Sequence, residues 1–334
     1  MILVAHPFGN ANVRAVLGAC HESGLLARYL TTLGWPNKAR FLSAVPGRLR
    51  RSLMRRSYDL PKEKIRAYPA REGVRLLARG AGTRVLTKHE RGWASIDRVW
   101  QELDQTSAGY LRANKEKDKI RAVYAYEDCA LRLFETAVEL GVRRVYDLPI
   151  AYWETARRLL KEEAERYPEW EPTLGGSRDS DAKLARKTRE LELAELVICP
   201  SNFVADSLPP NVRNSKPCLV VPFGSPSPGP EGPRGSRGKG PLRVLFAGSL
   251  TQRKGLADLF AAMKLLGSSA IELVVMGSLV RPLRWYREQC GNFTYEAPRP
   301  HADVLRLMRT CDVFVLPSLV EGRALVQQLS LIHI

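Results

Sequence analysis

The sequence lacks the features that define several common protein classes. Its six cysteines are scattered with no C-x-x-C pair, so neither a zinc site nor a disulfide framework is predicted. No apolar run approaches the ~18 residues of a transmembrane helix, and the N-terminal MILVAHPFGN has no basic leader. We therefore expect a cytoplasmic protein, either free or held peripherally at the inner face of a membrane.

Acidic residues are scarce relative to basic ones. The 334 residues include 52 Lys and Arg but 35 Asp and Glu, which gives a formal net charge of +17. A surplus of this size favours anionic partners: phosphorylated substrates, acidic membrane surfaces or nucleic acid. Specific nucleic-acid binding is not expected, because no helix-turn-helix, zinc-finger or RNP-like pattern is present.

One basic stretch, residues 46–79, holds eleven Lys and Arg against three Asp and Glu, interleaved with Leu, Met, Ile and Tyr. Amphipathic basic segments of this kind suit anionic membrane surfaces. A solvated face on a basic protein explains the stretch equally well, so both interpretations stay open at this point.

Short apolar runs alternate with helical patterns along the chain, which predicts an α/β protein with doubly wound parallel sheets. Residues 224–241 interrupt this alternation, because fourteen of the eighteen are Gly, Pro or Ser. We predict an N-terminal Rossmann-like domain over 1–223, a linker over 224–241, and a C-terminal Rossmann-like domain over 242–334. The second domain is expected to be incomplete, since the chain stops before any finishing helices.

Small residues follow the first strand of each predicted domain, where a backbone turn can face an anion. In HPFGNANVR these are Gly9 and Asn10, although the stretch lacks G-x-G-x-x-G and a plain tight turn is an equal alternative. In FAGSLTQRKG, Gly248 ends the strand and Arg253 and Lys254 precede a helix. Two cations at a helix N-terminus are unfavourable by themselves, so they favour a bound diphosphate over a bare surface.

A carboxylate follows the last predicted strand, in PSLVEG. Glu321 would lie at the C-terminal edge of a sheet, where it can accept hydrogen bonds from sugar hydroxyls. An acid that merely begins a helix is the alternative interpretation.

Together, the stretches HPFGNANVR, YDLP, CPSNFVADSL, FAGSLTQRKG and PSLVEGRALVQQ resemble retaining glycosyltransferases of family 4. The resemblance covers about residues 2 to 328. It implies the GT-B fold, with two Rossmann-like domains facing a cleft. It also implies a nucleotide-diphosphate sugar as donor substrate, no cofactor, and a glycan or lipid-linked acceptor in glycan, polysaccharide or glycolipid assembly.

The resemblance also assigns residues. Arg253 and Lys254 would bind the donor diphosphate and stabilise its charge, and Glu321 would contact the donor sugar. Further donor-binding positions are Gly9, Asn10, Gly248, Gly277, Gly322 and Arg323. We predict no metal, because we identify no Asp-x-Asp pair and no His/Cys cluster that would call for one.

The sequence departs from the family pattern at three places. Leu329 stands where a second Glu usually binds the ribose, and Arg323 replaces the Phe that often follows Glu-Gly. Where the first domain often has a His, the chain has Tyr126 and Glu127, so these are weaker candidates for sugar or acceptor contact. We interpret the tail LSLIHI as foreign to the gene, which would leave the chain truncated and its activity in doubt.

Two other functions stay open from the sequence. A GT-B nucleotide-sugar epimerase would convert the donor with no acceptor present. An inactive basic fragment that binds membranes or nucleic acid would not respond to nucleotide-sugars at all.

Overall fold

The computed structural model describes residues 1–37, 39, 53–175, 179–224 and 240–327. By its internal contacts the chain forms two compact units. The first unit comprises Met1–Pro149, Ser180–Ala205 and Pro209–Val221. The second comprises Ile150–Asp179, Asp206–Leu208 and Pro222–Ile334.

The elements are numbered here in chain order over the described residues. The strands are β1 (Ile2–Ala5), β2 (Leu26–Thr31), β3 (Trp35–Pro36), β4 (Ser57–Tyr58), β5 (Ile65–Ala67), β6 (Ala122–Tyr126), β7 (Arg143–Asp147), β8 (Leu196–Cys199), β9 (Cys218–Val220), β10 (Leu242–Ala247), β11 (Ile271–Met276), β12 (Thr294–Glu296) and β13 (Val313–Phe314). The α-helices are α1 (Ala11–Glu22), α2 (Ala70–Gly80), α3 (Ile96–Asn114), α4 (Leu131–Glu139), α5 (Trp153–Arg166), α6 (Asp181–Leu193), α7 (Asn202–Asp206), α8 (Pro210–Ser215), α9 (Leu256–Leu266), α10 (Leu283–Gln289) and α11 (His301–Met308).

A parallel sheet forms the core of each unit. In the described part of the first unit, seven strands lie in the order β5-β2-β1-β6-β7-β8-β9, and every pairing among them is parallel. In the second unit, four described strands lie in the order β12-β11-β10-β13, again all parallel. The predicted α/β class with doubly wound parallel sheets is therefore confirmed.

The strand order of each sheet reverses beside its first strand. From β1 the chain runs outward through β2 to β5, and then returns to β6 on the other side of β1. From β10 it runs outward through β11 to β12, and then returns to β13 on the other side of β10. Open parallel sheets bind ligands at such a switch point, outside the carboxyl ends of the strands. The fold therefore marks the loops after β1 and β6, and those after β10 and β13.

The second unit includes a segment that the sequence prediction assigned to the first domain. Trp170, which is 2% exposed, lies in a 3₁₀ turn after α5 and belongs to the core of the second unit. Its ring meets Phe260, Trp285 and Tyr286 at centroid distances of 5.8, 4.7 and 6.0 Å. The position of the Gly/Pro/Ser-rich stretch does not indicate that Ile150–Asp179 belongs to the second unit. The contacts that place this segment there are long-range and aromatic. The predicted domain boundaries stay a prediction, and most of the predicted linker, residues 225–239, lies outside the described residues.

No described helix has the length and apolar character needed to cross a membrane.

Candidate functional site

The loop after β10 brings two cations to the switch point of the second sheet. A 3₁₀ turn over Gln252–Lys254 follows this loop and leads into α9 through Gly255. Gly255 has a φ of +73°, and a Cβ at this position would lie 1.9 Å from the carbonyl oxygen of Pro317. Only glycine fits here, because both its backbone conformation and its close approach to another main chain exclude a side chain. The turn is thereby held against the segment that follows β13.

Arg253, Lys254 and Glu321 meet at this place. Lys254 Nζ contacts Glu321 Oε2, and Arg253 Nη1 lies 3.8 Å from the same oxygen. Arg253 Nη1 also donates to the carbonyl oxygen of Val320 at 2.8 Å, and Leu319 N donates to Arg253 O at 3.0 Å. The structure therefore brings together the three residues that the sequence singled out, although they lie about 70 positions apart in the chain.

Burial weakens the protonation of both cations. It lowers the pKa of Arg253 from its usual value, and burial followed by the nearby Arg253 charge lowers the pKa of Lys254 to about 8, despite the contact with Glu321. Arg253 and Lys254 are adjacent and partly desolvated, and Glu321 is the carboxylate that balances them. Binding of a second anion would therefore stabilise their charges further.

A buried glutamine, which the sequence reasoning missed, organises this loop. Gln252 is 0% exposed, and its Nε2 donates to Glu163 at 2.6 Å and to Asp258 at 2.7 Å. Its Oε1 accepts from Ala257 N at 2.6 Å, and its own N–H donates to Thr173 Oγ1 at 3.0 Å. These bonds fix both the main chain and the side chain of Gln252, which directly precedes Arg253. The sequence gives no signal for this role, because its partners at 163 and 173 are remote in the chain.

The other predicted glycines of this site differ in how strictly they are required. A Cβ on Gly277 would lie 1.6 Å from Gly248 O, so Gly277 permits the loops after β11 and β10 to touch. A Cβ on Gly248 would meet nothing closer than 3.8 Å. Gly322 is buried and Arg323 is exposed beside Glu321. Position 329 lies outside the described residues.

At the switch point of the first sheet, Asn10 caps α1. Its Oδ1 accepts from Val13 N at 2.8 Å, which is the ordinary role of Asn at a helix N-cap. A Cβ on Gly9 would lie 2.2 Å from Tyr58 Cε1, so the glycine lets the loop approach this ring. Both residues thus have structural roles, and their predicted donor contacts stay a prediction.

Tyr126 and Glu127 lie at the end of β6 in a buried polar network. Glu127 Oε1 pairs with Lys187 Nζ at 3.1 Å, and the same Nζ lies 3.4 Å from Asp128 Oδ2. Burial raises the pKa of Glu127, and burial followed by the Asp147 charge raises the pKa of Tyr126. Glu127 is therefore a buried carboxylate paired with Lys187 of α6, and the predicted contact of Tyr126 and Glu127 with sugar or acceptor stays a prediction.

His6 directly follows β1, lies beside Tyr126 and is a residue that the sequence reasoning did not single out. Its ring lies 4.4 Å from the Tyr126 ring, centroid to centroid, and its Nδ1 accepts from Phe8 N at 3.0 Å. Burial lowers the pKa of His6 to about 3, so the ring is neutral and carries its proton on Nε2. Nε2 is buried and has no hydrogen-bond partner among the described residues. His6 is a fixed donor at the switch point rather than a titrating base.

An Asp-x-Asp spacing does occur, at Asp179 and Asp181, which corrects one ground for expecting no metal. Between them, Ser180 caps α6 by accepting from Lys183 N at 3.3 Å. The expectation of no metal stays a prediction.

Asp147, at the end of β7, is expected to make stability depend on pH. Burial raises its pKa to about 6 from an ordinary 3.8, although a hydrogen bond from Tyr124 opposes the shift. The folded state therefore holds this proton more tightly, and the stability gained below 3.8 is lost as the pH rises through about 6. Replacing Asp147 with Asn should change the free energy of unfolding more favourably at pH 8 than at pH 5. The difference between the two mutational effects should be about 1–3 kcal/mol. Urea unfolding at both pH values measures this.

The matched control for this prediction is Asp59→Asn, at an exposed carboxylate of the same unit. It should change the free energy of unfolding equally at the two pH values. An Asp147→Asn effect that is also equal at pH 5 and pH 8 would contradict the assignment.

Residues 241–331 match the family model described as glycosyl transferases group 1. This segment contains β10 to β13 and the Arg253, Lys254 and Glu321 site. This part of the chain is therefore similar to group 1 glycosyltransferases. No curated protein matches the sequence.

Solved structures resemble almost the whole chain. A trehalose-6-phosphate structure from E. coli, bound with UDP-2-fluoro glucose, matches with a TM-score of 0.57 and 11% identity over 99% of this chain and 81% of that one. An α,α-trehalose-phosphate synthase (UDP-forming) from Burkholderia vietnamiensis matches with a TM-score of 0.55 and 12% identity, over 99% and 80%. Anabaena Alr3699/HepE, in complex with UDP and glucose, matches with a TM-score of 0.50 and 14% identity, over 99% and 78%. The fold is GT-B, as the motifs predicted.

Proposed function

We propose that this GT-B protein is a retaining glycosyltransferase of family 4. It would transfer a hexose from a nucleotide-diphosphate sugar to a hydroxyl of a glycan or lipid-linked acceptor. The observation that supports this most directly is the meeting of Arg253, Lys254 and Glu321 at the carboxyl edge of the sheet, inside the segment that matches group 1 glycosyltransferases.

The proposed chemistry follows from the charges at the site. The bond between the anomeric carbon and the diphosphate oxygen breaks, a bond to the acceptor oxygen forms on the same face, and the leaving phosphate takes the acceptor proton. Negative charge develops on the diphosphate as the bond breaks. Arg253 and Lys254 would stabilise this charge, which is the kind of preorganised electrostatic contribution that dominates many enzymes.

Glu321 has two roles in this proposal. In the free protein it balances the charge of Lys254 through their direct contact. When the donor binds, the diphosphate would compete for both cations and leave the carboxylate free to accept hydrogen bonds from sugar hydroxyls. Gly322, at the next position, is buried and would allow the sugar to approach the main chain.

The function is tested by incubating the protein with UDP-, GDP- and ADP-hexoses and a panel of sugar and lipid-linked acceptors. Release of nucleoside diphosphate that depends on an acceptor, with an α-configured product from an α-configured donor, is the expected result. Donor conversion without acceptor would instead identify an epimerase. If no nucleotide-sugar is converted and none raises the melting temperature, the proposal is wrong.

A further inference from the structure

We propose that the first unit docks on anionic membranes through an exposed surface that spans α2 and the turn after it. This basic apolar surface consists of Leu76, Leu77, Val85, Leu86 and Trp93, together with the cations Arg79, Arg84, Lys88 and Arg91. The proposal does not depend on the glycosyltransferase function, since it concerns a different part of the first unit.

The apolar part of this surface is unusually exposed. Leu77 is 75% exposed, Val85 79% and Trp93 51%, while Leu76 and Leu86 are 42% and 36% exposed. Single exposed apolar residues are ordinary, but five large ones within 18 positions (76 to 93) are not. Such a group indicates a surface that is covered in use.

The charged part of the surface is mainly cationic. From Leu76 to Trp93 the sequence contains four Lys and Arg and one acid, Glu90, whose Oε1 contacts His89 Nε2 at 3.3 Å and accepts from Ser180 N at 2.9 Å. The exposed cations Arg79, Arg84 and Lys88 form no ion pair with another described residue. Protein partners usually meet mixed charges, whereas uncompensated cations among exposed Leu, Val and Trp side chains match the headgroup layer of an anionic bilayer.

The basic stretch predicted from the sequence therefore divides into two parts. In its described first part several cations serve the fold: Arg56 and Arg75 pair with the fully buried Glu72 at 2.7 and 2.6 Å, and Lys64 Nζ donates to Leu26 O at 2.6 Å. Arg55 and Lys62 in this part are exposed and form no ion pair with a described residue, but the large exposed apolar side chains that could accompany such cations gather only from Leu76 onward. Residues 46–52 lie outside the described part. The predicted membrane contact thus shifts towards residues 76–93.

The surface is held in a defined shape. The Arg71 guanidinium stacks on Trp93 at 4.8 Å from the ring centroid, and its Nη1 donates to Trp93 O at 2.9 Å. A Cβ on Gly92 would lie 2.4 Å from Leu86 O, and Ala94 N donates to that same oxygen at 2.8 Å. A preorganised surface loses less conformational entropy on docking than a flexible one.

The test measures partition of the full chain onto vesicles without any nucleotide-sugar. Vesicles of phosphatidylcholine with 30% phosphatidylglycerol should bind the protein at low salt, and pure phosphatidylcholine vesicles should bind it at least tenfold less. The double variant Leu77→Glu/Val85→Glu should lower the partition onto anionic vesicles at least tenfold, as should Arg84→Glu/Lys88→Glu.

The matched control is Leu265→Glu/Leu266→Glu, which puts the same two charges on apolar residues of the second unit that are 89% and 59% exposed. It should leave vesicle binding within about twofold of the unaltered protein. Equal binding to both vesicle types, or full binding by the Leu77→Glu/Val85→Glu variant, would overturn the proposal. So would a tighter, salt-sensitive binding of duplex DNA that the same variants abolish, because the surface would then serve nucleic acid.

Turnover of nucleotide-sugar with a soluble acceptor separates this proposal from the proposed function. The Leu77→Glu/Val85→Glu variant should keep that activity while losing vesicle binding. If no glycosyl transfer is found but the vesicle results hold, the docking surface stands by itself.

Discussion

Replacing Lys254 with Ala is expected to lower kcat/KM for the nucleotide-sugar by about 10²–10³-fold, the usual effect of removing one preorganised donor to a developing charge. The physical reason is that Lys254 is partly buried beside Arg253, where its charge is poorly screened by water. Lys254→Arg should recover part of the loss, since it restores the charge but not the geometry. Steady-state kinetics with the preferred donor measures both variants.

The matched control is Lys264→Ala, because Lys264 is exposed on α9, the helix that follows Lys254. Its activity should equal that of the unaltered protein. The melting temperature of Lys254→Ala should change by only a few degrees, since Arg253, not Lys254, donates to the main chain at Val320. A Lys254→Ala protein that stays folded and turns over at more than half the normal rate would refute the assignment of this residue.

The second large effect concerns folding rather than catalysis. Gly277→Ala should destabilise the protein by about 3 kcal/mol or more, because its Cβ would lie 1.6 Å from the main-chain oxygen of Gly248. A backbone atom cannot rotate away as a side chain can, so β10 or β11 must move. Urea unfolding, or loss of soluble expression, reports this result.

Gly248→Ala is the control at the other side of the same contact. Its Cβ would meet no atom closer than 3.8 Å, so the free energy of unfolding should change by less than about 1 kcal/mol. A stable Gly277→Ala protein would show that the two loops do not touch in solution. A stable Gly248→Ala protein with weakened donor binding would support Gly248 as part of the donor site.

The sequence was sufficient to predict the class of the fold and its alternation of strands and helices. Strands such as Ile271–Met276 are short apolar runs bounded by glycine, and α9 ends at Gly267 with a φ of +53°, as a helix stop should. The edge strand Ile65–Ala67 was missed, because Lys and Arg around it resemble a solvated helix face. The transfer of residues 150–179 to the second unit was also missed, because aromatic contacts across 90 positions leave no local pattern.

The candidate site was partly predictable for a related reason. Arg253, Lys254 and Glu321 each follow a recognisable strand, and parallel strands end at one edge, so their meeting could be expected. The residues that support the site could not be predicted from the sequence. The sequence does not distinguish Gln252 from other polar residues, because its partner Thr173 is remote in the chain. The tautomer of His6 follows only from the hydrogen bond that its Nδ1 accepts from Phe8 N.

The membership of residues 150–179 in the second unit has a consequence for how the chain folds as it is synthesised. Trp170 leaves the ribosome 90 residues before its partner Phe260 (260 − 170). It also precedes β8 and β9, which complete the first sheet. Trp170 therefore cannot contact its aromatic partners until the rest of the second unit has been synthesised. Closing a loop of this length has an entropic cost that slows folding. A fragment that begins at residue 240 would never receive Trp170 and would expose the apolar faces of Phe260 and Tyr286. Expression of the second unit alone therefore requires residues 150–179, either in the same polypeptide or as a second chain.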